Sequence, residues 1–283
     1  MKKNFLMVLC LIAINGIAIA DDTQTRLKAM EAEKDNVFKR TGASEPYYTE
    51  NCPKQLAFWQ QAAQQGQAIA QSLLAGCYVH GKGIAKDEAQ AVAWYRKAAE
   101  QGHAKAQYGL GTMYFHGKGI AKDETQAVIW FRKAAEQGVT QAHASLGGMY
   151  ALGIGIAKDE AQAEKWLRKA AEQGDAYAQY GLGAMYFHGK GIAKDETQAV
   201  TWFRKAAEQG HAAAQDSLGV MYRDGIRIAK DDAQAVTWFR KAAEQGNARA
   251  QANLGDMYFQ GMGVAKDETQ AVTWVRKAAE QGL

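Results

Sequence analysis

Histidine is the residue of this chain whose spacing most resembles a metal site. His80, His116 and His188 occupy the same position in a 36-residue pattern, and imidazole is a common zinc ligand. Equivalent helices in a stack lie about 10 Å apart, too far for one ion with bonds of ~2.0–2.1 Å to join them. We therefore expect surface histidines and no metal site.

Serine is the residue that could support hydrolysis, as in enzymes that use a Ser-x-x-Lys motif. None of the serines in the chain has a lysine three residues later. Residues 76–83 nearly match a phosphate-binding loop, but they lack the final Ser or Thr and follow a predicted helix instead of a strand. The sequence predicts no catalytic residue and no cofactor. The serines are Ser44, Ser72, Ser145 and Ser217.

The first 20 residues have the pattern of a secretory signal peptide. Lys2 and Lys3 supply a positive region, residues 5–14 are apolar, and residues 18–20 (Ala-Ile-Ala) match a cleavage site. An uncleaved anchor is the alternative, but the apolar run is shorter than the ~20 residues that cross a bilayer. We expect export to the periplasm or outside the cell, with no membrane-spanning segment in the mature chain.

Charge and composition limit the partners. Without Lys2 and Lys3, the 34 basic residues fall to 32, against 30 acidic residues. No block of basic residues is present to neutralise phosphates, so nucleic acid is not an expected partner. Ala, Gln, Lys and Glu abound and prolines number 2, which favours an all-α fold.

A 36-residue repeat organises the chain from about residue 53 onward. Its most regular part reads Trp-Phe-Arg-Lys-Ala-Ala-Glu-Gln-Gly, as at 130–138. Self-similarity at this period is typical of stacked-repeat solenoids. The tryptophan recurs at Trp94, Trp130, Trp166, Trp202, Trp238 and Trp274. Six full units are predicted at 67–102, 103–138, 139–174, 175–210, 211–246 and 247–282.

The first half of each unit is predicted to be an amphipathic helix. In the second unit, apolar residues recur on one face of residues 104–115, and the turn at 117–119 (Gly-Lys-Gly) then ends the helix. Gly111 interrupts this helix and returns at the same position in the four following units. We interpret it as a site where two helices cross too closely for a side chain.

The second half of each unit is predicted to be a capped helix. Asp123 with Gln126 three residues later is an N-capping pattern, and Gly138 supplies the left-handed residue that ends the helix. Trp130 and Phe131 are expected to face the core, with the other tryptophans of the repeat.

The units resemble the Sel-one-like repeat (SLR) family, a relative of the tetratricopeptide repeats. The resemblance covers about residues 53–282 and implies a right-handed α–α superhelix of six helical hairpins plus an N-terminal helix. Arg227 departs from the pattern, in place of the second turn glycine, and predicts a looser turn in the fifth unit. The matching residues of the second unit are Ala106, Leu110, Gly111, Met113, Tyr114, Gly117, Gly119, Asp123, Ala127, Trp130 and 133–138.

The resemblance also implies a function, as a scaffold that binds a protein or peptide. Bacterial members often act in the cell envelope, in assembly, signalling or host contact, and these roles are expected here. Some cysteine-rich members are described as β-lactamases. A β-lactamase-like or cell-wall-active hydrolase is therefore the alternative, although we expect no enzyme.

One stripe of the first helix differs from unit to unit. Offsets of three and four place its residues on one helical face, opposite Leu110, and in tetratricopeptide-like stacks that face lines the concave groove. Exposed aromatic residues in a groove are common anchors for a protein partner, whereas scattered surface aromatics are the alternative. The predicted groove residues are Tyr108, Phe115, Tyr177, Tyr180, Phe187, Arg223 and Phe259.

Residues 21–52 precede the clear repeat and have two interpretations. Leu27, Met30 and Val37 have the spacing of one helical face, with Gly42 as the end of that helix, and residues 44–48 are predicted to form a loop. The segment is either a cap on the solenoid or a flexible tether. The resulting plan is a signal peptide at 1–20, a cap or linker at 21–52 and the solenoid at 53–283.

Cys52 and Cys77 are the two cysteines left after cleavage of the signal peptide. A lone helix at 53–65 should run antiparallel to the first helix of the first unit, which places both cysteines at the same end of the pair. Disulfides persist in exported proteins, so we predict a bond between them. A buried thiol is the alternative, because Cys77 occupies a position that holds methionine in the other full units.

Overall fold

The computed structural model describes residues 21–38, 41 and 43–282, and over these ranges it contains helices and turns but no strand. The predicted all-α fold class is confirmed. The signal peptide and Gly42 lie outside the described residues. The helices are α1 (21–38), α2 (Glu45–Gln64), α3 (Ala68–His80), α4 (Glu88–Glu100), α5 (Ala104–His116), α6 (Glu124–Glu136), α7 (Thr140–Leu152), α8 (Glu160–Glu172), α9 (Ala176–His188), α10 (Glu196–Glu208), α11 (Ala212–Asp224), α12 (Asp232–Glu244), α13 (Ala248–Gln260) and α14 (Glu268–Ala279).

The helices form hairpins in two compact units, one ending at Val139 and the other beginning at Thr140. Within each hairpin the first helix packs along the second, as α5 does along α6. Inside the units, the second helix of one hairpin also packs on the first helix of the next, as α4 does on α5 and α12 on α13. A hairpin thus buries its apolar residues against its neighbours, which is how repeat proteins build a core.

Aspartate side chains begin the second helices, as the sequence predicts. Asp123 Oδ1 accepts a hydrogen bond of 2.9 Å from the Gln126 backbone N–H, which satisfies one of the unpaired amides at the helix start. Gly138 has φ +86° at the other end of the same helix. The same cap is formed by Asp87, Asp159, Asp195, Asp231 and Asp267.

A buried glutamine joins successive hairpins, a feature that the sequence reasoning did not identify. Gln107 is 5% exposed. Its Nε2 donates to the Ala99 carbonyl at 3.2 Å, and its Oε1 accepts from Gln137 Nε2 at 2.7 Å. Because both ends of the amide are paired, these hydrogen bonds offset the cost of removing it from water. The same bonds are made by Gln71, Gln179, Gln215 and Gln251.

Close packing explains the glycine that recurs in the first helices, as predicted. A Cβ at Gly111 would lie 2.7 Å from the Phe131 ring, and one at Gly147 would lie 2.6 Å from Leu167 Cγ. Next to it in the same helix, a Cβ at Gly148 would have no heavy atom within 4 Å. The helix α7 therefore contains two adjacent glycines, one in close contact with α8 and the other with free space around it.

We expect Gly147→Ala to destabilise the protein by about 1–3 kcal/mol, because the new methyl group overpacks the hairpin. Gly148→Ala should instead stabilise it by about 0.5–1 kcal/mol, because alanine favours the helix and the site has room. Urea unfolding followed by circular dichroism measures both. Equal effects of the two substitutions would contradict the close approach of α7 and α8.

The helix α2 begins earlier than the sequence predicted. Residues 45–48, expected to form a loop, are its first turn, with Pro46 at a position where the missing N–H is harmless. Pro53, expected in a first turn, lies inside α2 and is exposed to solvent, so the carbonyl that it leaves unpaired can be hydrated. Cys52 consequently lies within the helix and not before it.

Arg227 keeps the turn conformation of the glycine that it replaces. Its φ is +54°, close to the +67° of Gly119, so the looser turn predicted for the fifth repeat is not formed. A side chain in this region of φ is strained. The Arg227 guanidinium pairs with Glu196 of the preceding repeat, whose Oε2 lies 3.2 Å from Nε.

The helix α1 packs on α2 and on the start of α5, in the manner of a cap. Leu27 is fully buried, and the Trp59 indole N–H donates to Met30 Sδ at 3.3 Å. Further along, Glu31 Oε1 lies 3.0 Å from His103 Nε2 at the start of α5. Burial would raise the pKa of Glu31, but the hydrogen bond and positive charge of His103, with nearby lysines, lower it to about 2.

Candidate binding surface

The variable stripe of the first helices is the candidate binding surface, and it is described for each unit separately. In the compact unit that ends at Val139, Tyr108 and Phe115 on α5 are half-buried. The Tyr108 ring packs on Phe131 of α6 with 5.4 Å between centroids, and Phe115 meets His116 edge-on at 5.0 Å. Tyr108 therefore packs on the buried Phe131 of its own hairpin, and both rings remain partly exposed.

The stripe of α9, in the compact unit that begins at Thr140, contains one exposed and two half-buried aromatic residues. Tyr177 is 77% exposed. Tyr180 lies between Phe203 and His211, at centroid distances of 5.6 and 4.8 Å, and Phe187 also packs against Phe203, at 6.5 Å. Tyr180 and Phe187 are thus only partly exposed, because the second helix of the same hairpin supplies a ring beneath them.

The stripe changes from aromatic to charged between α11 and α13. Asp216, in the position of Tyr180, is fully buried and forms an ion pair of 2.5 Å with Arg249 Nε. Its second oxygen accepts from Asn253 Nδ2 at 2.9 Å, and Asn253 Oδ1 accepts from Arg223 at 3.2 Å. Arg223, a predicted groove residue, is therefore half-buried and held in this network.

These contacts also show that the stripes of successive helices are neighbours in space. Asp216 on α11 reaches Arg249 and Asn253 on α13. The sequence reasoning missed Asn253, although a buried carboxylate at 216 requires such partners. At the end of the stripe, Phe259 is 57% exposed, with Lys266 Nζ 5.4 Å from its ring centroid.

An aromatic residue from outside the repeats covers the stripe of the first repeat. Tyr48 of α2 is 3% exposed and stacks on His80 of α3 at 5.1 Å. A Cβ at Gly76 would lie only 2.1 Å from the Tyr48 ring, so the glycine makes room for it. Ser72, in the position of Tyr108 one repeat later, is buried in the same region.

The histidines that share one position pack against aromatic rings, His80 against Tyr48 of α2. His116 packs edge-on against Phe115, and His188 against Phe187 at 5.1 Å. Burial lowers the pKa of His80. Among the residues that the structure describes, no group of three or more His, Cys, Asp and Glu side chains is placed to hold a metal ion.

Cys52 and Cys77 are joined by a disulfide in the structure. It connects the middle of α2 to the last turn of α3, with 5.9 Å between the two Cα atoms. Both residues are fully buried, beside Trp59 and Leu74 in the core that α1, α2 and α3 share. The antiparallel arrangement expected of the two helices brings these cysteines together.

No helix in the described part of the chain combines the length and the apolar character needed to cross a bilayer.

Comparison with known proteins places the chain in a family. The Sel1 repeat model matches six times, at residues 68–103, 104–139, 140–175, 176–211, 212–247 and 248–283. These bounds lie one residue later than those predicted. The chain belongs to the Sel1-repeat family. Sequence comparison found no match among curated proteins.

Two solved structures with this fold are similar to the chain. One is c5321, a protective antigen of uropathogenic Escherichia coli strains, with 43% identity and a TM-score of 0.74. The match covers 81% of this chain but 49% of the antigen, so the chain spans about half of that protein's length. The other is a Sel1 repeat protein from Oxalobacter formigenes, with 38% identity and a TM-score of 0.70 over 76% of this chain and 86% of that protein.

Proposed function

We propose that this protein is an exported scaffold that binds a protein or peptide through the variable stripe of its first helices. Sel1-repeat proteins typically mediate protein–protein interaction, and the chain belongs to that family. The observation that carries the proposal is the exposure of large apolar side chains on the stripe, at Tyr177 and Phe259. Exposed aromatic residues beside half-buried ones make an anchor surface.

Contrast within the repeat supports this choice of face. The alanines that recur in the second helix of every repeat, such as Ala127 and Ala134, are buried and build the hairpin. One position of the stripe holds Tyr108 in the second repeat, Tyr180 in the fourth and Asp216 in the fifth. Because packing does not require one residue type there, the stripe can be adapted to a partner. The role is in envelope assembly, signalling or host contact.

Export is part of the proposal and has its own support. The first 20 residues match a signal peptide, and a buried disulfide of the kind found at Cys52 and Cys77 suits an oxidising compartment. Expression with the full leader and mass spectrometry of the envelope and medium fractions tests this. A mature chain that begins at Asp21 supports export to the periplasm or the medium, and an uncleaved cytoplasmic chain contradicts it.

Binding is tested with exposed residues, because Tyr108, Tyr180 and Phe187 also support the hairpins. Crosslinking and pull-down from the envelope fraction should identify a partner, whose affinity is then measured with purified proteins. Tyr177→Ala with Phe259→Ala should weaken it at least tenfold, as expected for aromatic anchors. Ile129→Ala is the control, because Ile129 is 39% exposed on α6, outside the stripe. Equal binding by all three proteins would move the site away from the stripe.

A β-lactamase-like or cell-wall-active hydrolase is the alternative function. Ser72 is 2% exposed, and the Ser217 hydroxyl donates to the Ala213 carbonyl at 2.9 Å, so neither is poised as a nucleophile. Hydrolysis of a β-lactam or of peptidoglycan by the purified protein, above the rate of a buffer control, would favour the alternative.

A further inference from the structure

The last hairpin contains an apolar pocket that the earlier repeats fill. The pocket lies between α13 and α14 and has a volume of about 410 Å³. Val272 and Val275 are 55% and 48% exposed there, and Phe259 stands at the edge. An apolar cavity of about 150 Å³ is enough to hold benzene, so this pocket has room for an aromatic side chain.

Two substitutions within the repeat remove aromatic rings from this place. In the fourth repeat, the rings of Tyr180 and Phe203 pack together at the corresponding place, and Phe203 is 4% exposed. In the sixth repeat, these two positions hold Ala252 and Val275, both of which line the pocket. The hairpin has therefore lost two rings while its backbone pattern is unchanged.

The place of the hairpin in the stack contributes to the pocket as well as these substitutions. The third repeat also carries alanine in the tyrosine position, at Ala144, and its partner position holds Leu167, which is 7% exposed against 48% for Val275. The position of Val272 is informative because the residue type does not change. Val128, Val200 and Val236 are at most 7% exposed there, against 55% for Val272 on α14, the last helix that the structure describes.

The chain itself shows what the corresponding face of a repeat accepts. In the first repeat, the positions of Ala252 and Asp256 hold Ser72 and Gly76, and the ring of Tyr48 lies against Gly76. Tyr48 is carried by α2, a helix outside the six repeats. A helix has thus placed one aromatic side chain on the stripe of a repeat whose first helix has no ring at these two positions. The position of Val275 in that repeat holds Tyr95.

We propose that the pocket between α13 and α14 binds an aromatic side chain presented by a helix of a partner protein, as the first repeat binds Tyr48. This inference rests on the proposed function and specifies where one anchor of the partner sits. Asp256 and Arg276 lie at the pocket edge, and they supply an acceptor and a donor for polar groups that flank the anchor. The Gln260 amide donates to Asp256 Oδ1 at 2.6 Å and orients that carboxylate.

The test uses the mature chain and a defined probe, a helical alanine-based peptide with one central tyrosine and a fluorescent label. Its binding is measured by anisotropy, and the methyl NMR signals of Val272 and Val275 locate it. The matched peptide carries alanine in place of the tyrosine. N-acetyl-tyrosine amide is the third probe and represents a free aromatic ligand.

The matched protein variant is Ala252→Tyr with Val275→Phe, which restores the ring pair of the fourth repeat. Because that pair is already used in this chain, the variant should fold, and circular dichroism checks it. Val272→Glu is a second variant that places a charge on an exposed residue of the pocket.

We expect the tyrosine peptide to shift both valine signals and to bind at least tenfold more tightly than the alanine peptide and the free amide. Each variant should weaken it at least tenfold. Absent or equal binding of the two peptides, or unchanged binding to both variants, would overturn the proposal. Tighter binding of the free amide would overturn it in favour of a small-molecule site. The two proposals fail separately. If the tyrosine peptide does not bind, but Tyr177→Ala with Phe259→Ala still weakens binding of the natural partner, the proposed function stands and the pocket proposal fails.

Discussion

Trp202→Ala should lower the free energy of unfolding by about 3–5 kcal/mol, the range for removal of a buried aromatic side chain. Trp202 is 8% exposed and packs against Leu167, Leu182 and Met185. Leu167 belongs to the third repeat and Trp202 to the fourth. The substitution therefore leaves a cavity at the junction of two repeats, where the stability of a repeat array is concentrated. Urea unfolding of the mature chain measures the effect.

Two variants separate burial from other effects of this substitution. Trp202→Phe should cost much less, because a ring still fills the site and the indole N–H of Trp202 has no hydrogen-bond partner among the described residues. Trp274→Ala should also cost less, because Trp274 has the same repeat position but is only half-buried, in α14. A Trp202→Ala cost no larger than that of Trp274→Ala would contradict the packing of Trp202.

The repeat architecture could be predicted because each of its rules depends on residues close in sequence. Asp123 caps the helix that follows it, and the glycines at 117 and 119 end the helix that precedes them. The start of α2 could not be predicted in the same way. It has no repeat to compare with, and its first turn is fixed by burial of Tyr47 and Tyr48 in the core, a tertiary effect.

The tryptophan positions show a second limit of the sequence. All six tryptophans were expected to face the core, but Trp130 and Trp238 are half-buried, with Lys133 and Lys241 Nζ 4.2 and 4.3 Å from their ring centroids. Lysine three residues after each tryptophan covers the ring face and keeps its charge in water. The spacing was visible in the sequence, and its meaning depends on how much of the ring the neighbours leave open.

The residues of the candidate surface could be located from the sequence, but their environments could not. Stripe spacing predicts that Tyr180 and Arg223 lie on the same face of their helices. What each touches depends on the facing helix, since Phe203 lies under Tyr180 and Asn253 contacts Arg223. The pocket beside Val275 depends in the same way on residues of two helices, with Ala252 on α13 and Val275 on α14, which one helix alone does not reveal.

The second large effect is expected from loss of the disulfide between Cys52 and Cys77. The bond closes a loop with a sequence separation of 25 residues, and in the chain-entropy model a loop of this length stabilises by roughly 3.5 kcal/mol. It ties α2 to the first repeat, next to Tyr48 and the turn at Gly83 that packs on Pro53. The effect should therefore be largest at the amino-terminal end of the solenoid.

Cys52→Ala with Cys77→Ala should lower the free energy of unfolding by about 3.5 kcal/mol and speed hydrogen exchange in α2 and α3. The wild-type protein treated with reductant should approach the double variant, whereas the double variant should not respond to reductant, which controls for general effects of the reagent. Mass spectrometry after alkylation without reductant provides the decisive check on the exported protein. Two alkylated thiols in that sample would show that the bond does not form, and the stability of α2 would then rest on the packing of Tyr47, Tyr48 and Trp59 alone.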